Sequence, residues 1–82
     1  MKNYKPYDSE SDATTYEDPK SAAMDAAMEV ARLAYGWEGI VATLNCTGAA
    51  GQTIHYEAYI GVYDVNEHTT RGCKVPIRVL EV

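Results

Sequence analysis

The chain has 82 residues, with seven Lys and Arg set against twelve Asp and Glu, for a formal net charge of −5. That length holds one domain (1–82) with one core, and leaves no room for separate substrate and cofactor domains. The charge repels phosphate backbones and anionic lipid, which argues against nucleic acid or membrane as a direct partner.

Apolar residues make up 46% of the chain, enough for a core and against wholesale disorder. There is no Phe, so seven Tyr and one Trp supply all the aromatic bulk. Tyr carries a hydroxyl that needs a partner when buried, which places many of these rings at edges or interfaces. No apolar leader opens the sequence and no run reaches membrane-spanning length, so cytoplasm is the expected compartment, with both cysteines reduced.

In chain order, Lys2 to Tyr7 reads as a short edge strand, because Pro6 cannot donate to a central ladder. Residues 8–18 form an acidic, irregular segment carrying Asp8, Glu10, Asp12, Glu17 and Asp18. Within it, Ala13 to Tyr16 has the β-branched and aromatic content of a second extended piece.

The helix follows. Asp18 is a good N-cap, Pro19 fits the first helical position, and Gly36 suits the residue after the last turn. Ala23, Ala26, Ala27, Val30, Ala31, Leu33 and Ala34 make its broad apolar face, with Asp25, Glu29 and Arg32 on the wet one. So many alanines on a packing face predict a close approach of helix and sheet backbones.

Three strands complete the chain. Gly39 to Thr47 alternates Ile40, Ala42, Leu44 and Cys46 against Val41, Thr43, Asn45 and Thr47, and Gly48 to Gln52 reads as a hairpin connection. Thr53 to Tyr63 sets Ile54, Tyr56, Ala58, Ile60 and Val62 against His55, Glu57, Tyr59 and Tyr63, the strongest period-two signal present. Asp64 to Gly72 reads as a loop. Cys73 to Val82 is the last strand, with Val75, Ile77 and Val79 on one face and Pro76 marking an edge or a bulge. The predicted fold class is α+β, one Ala-rich helix on an antiparallel sheet of three to four strands in the order β-α-β-β-β.

Chemistry finds little purchase in these residues. His55 and His68 are the only imidazoles, and the alternation puts Cys46 and His55 on opposite faces of the sheet. The order Cys46, His55, His68, Cys73 matches no zinc spacing, and the acids of residues 8–18 lack the central Gly and final Glu of a calcium loop. The expectation is a protein that binds and does not catalyse, with no cofactor and no metal. Whether Cys46 and Cys73 pair stays open, since both lie in strand-like segments.

Several stretches, taken in order, resemble the small acidic phage proteins called anti-CRISPRs, and in particular a type I-E family. They are Met1-Lys2-Asn3-Tyr4, Ala22-Ala23 to Ala27, and Trp37-Glu38-Gly39-Ile40-Val41. Further on come Ala58-Tyr59, Tyr63 with Asn66 and Thr69-Thr70, and Val75-Pro76 to Val79-Leu80-Glu81-Val82. Pro6 and both cysteines depart from that pattern, and the acidic stretch before Asp18 fits it worst.

The resemblance implies a phage-encoded inhibitor, working in the cytoplasm of a bacterial host. It would bind the Cascade surveillance complex or its Cas3 nuclease and block interference against foreign DNA. An acidic protein suits the Lys- and Arg-lined channels of such a machine. The expected contact residues are Asp8, Glu10, Asp12, Asp25 and Glu29, with Glu57 and Tyr59 on the open sheet face. The competing reading is a small phage or bacterial accessory protein that acts as a structural or protein-neutralising partner. Monomer and homodimer both remain open.

Overall fold

The computed structural model describes residues 2–8 and 15–82. Strand β1 (Tyr4–Pro6) precedes helix α1 (Pro19–Tyr35), a single 3-10 turn (Gly36–Glu38), and strands β2 (Ile40–Ala50), β3 (Thr53–Asp64) and β4 (Thr69–Glu81). The strands form one antiparallel sheet in the order β1-β4-β3-β2, with the helix on one face. This is the α+β fold, in the β-α-β-β-β order that the sequence predicts.

Local chemistry sets the helix ends. The Asp18 carboxylate accepts from the Lys20 backbone N–H at 3.0 Å, and Pro19 takes the first helical position, where no donor is needed. At the other end the Gly36 N–H returns to the Arg32 carbonyl from a positive φ of 71°. Such a cap stabilises a helix by about 1 kcal/mol, and the rest of its stability comes from docking.

The docked stripe is almost all alanine. Ala22, Ala23, Ala27 and Ala31 are fully buried against Leu44, Tyr56, Ala58, Ile60, Ile77 and Val79 of the sheet. Ile60 and Val79 are the largest side chains completely removed from water, each worth about 1.5–3 kcal/mol. Tyr4, Tyr16, Val30, Val41 and Val75 close the margins of this core.

Two parts of the predicted helix face are corrected. Leu33 is 82% exposed and Ala34 is also exposed, whereas Ala22, absent from the predicted face, is fully buried. Ala22 and Ala26 share a flank of the helix with Leu33, which lies about three turns beyond Ala22. At the N-terminal end that flank is packed near Tyr4 and Tyr16, whose backbones exchange two hydrogen bonds of 2.8 Å. Nothing of the described chain continues that cover as far as Leu33.

The alternation in β3 and β4 is as expected, with Tyr56, Ala58 and Ile60 in register with Ile77, Val75 and Cys73 on the helix face. In β2 it is interrupted. Bulges between Val41 and Thr43 and between Cys46 and Gly48 each insert one residue, so Val41, Leu44 and Cys46 share the helix face with Ile60, Ala58 and Tyr56. Val41, and not Ile40, therefore packs on the core.

Both loops are shorter than the sequence suggests. β2 and β3 are joined by the two residues Gly51 and Gln52, and β4 begins at Thr69, so the ladder runs on through Arg71 and Gly72. Pro76 faces Glu57 of β3, and β1 pairs only with residues 79–81 of β4. Among the described residues no strand pairs with the half of β4 that holds Pro76, so that half is an edge, although β4 as a whole lies inside the sheet.

β3, at 12 residues, spans roughly 40 Å, while the 17-residue helix spans roughly 25 Å. The distal β3–β4 hairpin therefore projects past the helix. The radius of gyration reflects it, 13.2 Å against roughly 12 Å for a compact chain of this length.

Candidate protein-binding groove

The uncovered flank of α1 opens onto two adjoining depressions. The larger, about 880 Å³, runs between the helix residues Ala26, Glu29, Val30 and Leu33 and the segment Pro6–Asp8, with Pro76, Ile77 and Arg78 of β4 behind. The smaller, about 500 Å³, lies over the outer surface of the helix between Met28, Arg32, Leu33, Gly36 and Trp37. Asp25, Glu29 and Leu33 border both.

Trp37 dominates this surface. The helix stops at Gly36, and the following 3-10 turn projects the indole outward with 90% of the residue exposed. Arg32 lies over it, its guanidinium carbon 5.5 Å from the ring centroid. An aromatic ring and a leucine side by side in water are costly to solvate, and such pairs mark interaction sites more often than chance surface.

Acids frame the apolar ridge. Glu29 is exposed and has no ion-pair partner among the described residues, so its charge is available to a ligand. Asp25 stands near Tyr16, whose phenol is pushed above its ordinary pKa by partial burial and then by the Asp25 carboxylate. Asp8 meets the Arg78 guanidinium at 3.7 Å, and Arg78 stacks on the Tyr7 ring at 4.2 Å.

Three of the expected contact residues, Asp8, Asp25 and Glu29, therefore line one groove. Glu10 and Asp12 lie outside the described residues. Glu57 and Tyr59 belong to the opposite face of the sheet. Glu57 pairs with Lys74 at 3.7 Å. The Tyr59 hydroxyl donates to the Thr70 carbonyl at 3.4 Å and accepts from the Gly72 N–H at 3.2 Å, so its polar end is used inside the hairpin.

Sequence reasoning missed Leu33, Trp37, Tyr7 and Arg78 as groove residues. Trp37 carried a usable signal, being the only Trp and falling directly after the Gly36 helix stop, outside any buried period. Tyr7 and Arg78 carried none, because β1 and β4 are adjacent only through the sheet topology.

The cysteines are both exposed and free. They do not neighbour each other as a disulfide needs, for β2 and β4 lie on opposite sides of β3, Cys46 opposite Tyr56 and Cys73 opposite Ile60. Cys73 Sγ instead sits 3.8 Å from the Tyr35 hydroxyl, a contact that, with partial burial, raises the Tyr35 pKa. His55 lies opposite Gly48 on the open face, away from Cys46. Among the described residues no three His, Cys, Asp or Glu side chains group as a metal site would need, and no helix is long and apolar enough to cross a membrane. No protein family, curated protein or solved structure was found to match this chain.

Proposed function

We propose that this protein acts by stoichiometric binding to a basic protein surface, without catalysis, and that it is an anti-CRISPR inhibitor of Cascade or of its Cas3 nuclease. The observation that carries the binding reading is the Leu33–Trp37 ridge, 82% and 90% exposed, bordered by Asp25 and Glu29. An indole filling a partner's pocket supplies the anchor, and the acids supply orientation and approach toward Lys and Arg. The choice of partner rests on the family resemblance of the sequence, with which the net charge of −5 agrees.

The test is co-purification of the tagged protein with type I Cascade and with Cas3 across a salt series, beside a plaque assay for phage protection. The expected result is a complex that weakens as salt rises and that Trp37→Ala weakens strongly at any salt. Absence of binding to both, together with no protection, would overturn the inhibitor reading and favour the accessory-protein alternative.

A further inference from the structure

We infer that the protein forms a two-fold symmetric dimer by antiparallel pairing of its β2 edge with β2 of a second copy. The two edges of the sheet are built differently. On the far side, β1 carries Pro6, and the uncovered part of β4 carries Arg71, Lys74 and Pro76. Charged residues and prolines are among the devices that stop one sheet edge from pairing with another, and bulges, which β2 does carry, are a further one.

β2 has none of these residues. Its 11 residues, Ile40–Ala50, contain no Asp, Glu, Lys, Arg or Pro, and most of its side chains are exposed. A strand of that length presents a row of backbone donors and acceptors that no other strand among the described residues satisfies. Its two bulges limit regular pairing to Thr43–Cys46, the uninterrupted stretch between them. A two-fold passing through Leu44 or through Asn45 pairs residues of the same sheet face, and it keeps the helices of both copies on one face of a continuous sheet.

The occupant follows from the same asymmetry. Were β2 to pair with the β4 edge of another copy, the assembly would be head-to-tail and open-ended. Pro76 withholds an N–H there, and Arg71 and Lys74 keep that edge solvated. β2 against β2 is closed by its symmetry, and it brings two chains of net charge −5 together at a strand without charge. The larger cleft, between α1, β1 and β4, lies toward the other side of the sheet, so both copies would keep it open.

Sedimentation velocity and light scattering over a concentration series test this. The expected result is a species of twice the chain mass, lost at the same concentration in the double variant Thr43→Lys, Asn45→Lys. Arg71→Ala with Lys74→Ala should leave it intact. Both Lys substitutions are at exposed positions, and circular dichroism checks that the variant stays folded. As a check free of mutation, backbone amides of residues 43–46 should exchange more slowly in concentrated than in dilute wild-type protein. A wild-type monomer up to millimolar concentration, a dimer that survives the β2 lysines, or one broken by the β4 substitutions would overturn the inference.

Discussion

The Arg32 guanidinium lies over the Trp37 ring, 5.5 Å from its centroid, and the ring beneath remains 90% exposed. One turn of helix thus orients an indole that the fold itself barely uses. Trp37→Ala should leave thermal unfolding almost unchanged, within about 0.5 kcal/mol. Binding to the partner should fall by about 2 kcal/mol or more, roughly 30-fold, as for an anchor at the centre of an interface. Calorimetric unfolding and titration on the same preparation separate the two effects. A large loss of stability would make Trp37 a structural residue.

The acids beside the ridge divide by a single substitution each. Glu29→Lys should slow association with a basic partner and flatten the salt dependence of the rate, with stability held within about 0.5 kcal/mol. Asp25→Asn should also bring the Tyr16 phenol back toward its ordinary pKa, since Asp25 contributes to raising it. Stopped-flow association and an ultraviolet tyrosine titration are the measurements. If Glu29→Lys left the rate and its salt slope unchanged, the groove would not be the contact face.

The parts of this fold legible in the sequence were those governed by neighbours along the chain. Asp18-Pro19 and Gly36 punctuate the helix locally, and the β3 alternation registers directly against the core. The β2 parity was not legible, because a bulge inserts Ala42 without changing its composition. The strand ends at Gly48–Ala50 and Thr69–Gly72 look like loop in the sequence for a related reason: they are held by ladder hydrogen bonds, with little apolar burial to mark them. Leu33 falls in the apolar period with Ala26 and Val30, but where the cover of that flank ends depends on β1 and Tyr16, remote in sequence. The groove inherits this limit. Its acids could be named one by one, but their assembly with Tyr7 and Arg78 is a product of topology.

The alanine stripe makes its own prediction. Ala27 is fully buried, and the small side chains along that stripe let the helix backbone lie close to the sheet. Ala27→Leu adds three heavy atoms where no space exists, at a cost of about 1–3 kcal/mol. For a domain of this size the melting temperature should drop by about 4–8 °C per kcal/mol. Ala34→Leu, at an exposed position of the same helix, should change little. Equal effects from both would mean that the helix is not packed as described.

Tyr59 and Gly72 test how the projecting hairpin is held. Gly61 and Gly72 face each other across β3 and β4, and a Cβ on Gly72 would overlap the Ile60 carbonyl oxygen. Backbone would have to move, so Gly72→Ala should destabilise by several times the cost of an ordinary surface change, about 2 kcal/mol or more. Tyr59→Phe removes only the bonds to Thr70 and Gly72, at about 1 kcal/mol. Hydrogen exchange in residues 59–72 should rise in both variants. Partner binding that fell with Tyr59→Phe while stability held would return Tyr59 to the contact surface.

Alkaline titration reads the tyrosines of the core. The Tyr56 phenol is pushed above its ordinary value by burial, then by the neighbouring Cys46, Asp18 and Tyr4, and Tyr16 and Tyr35 are raised as well. In the unfolded chain a tyrosine ionises near pH ~10, whereas in the folded protein it keeps its proton to higher pH. Between those values the folded state binds more protons than the unfolded one, so stability falls as pH rises. The contribution is complete below pH ~10 and lost through the raised folded pKa values. Urea unfolding should therefore give a midpoint that is flat, as far as tyrosine is concerned, up to about pH 9 and then declines. Tyr56→Phe should make that decline shallower, because one ionising group is removed from the unfolded state. An identical alkaline slope in the variant would show that the Tyr56 phenol is as well solvated folded as unfolded.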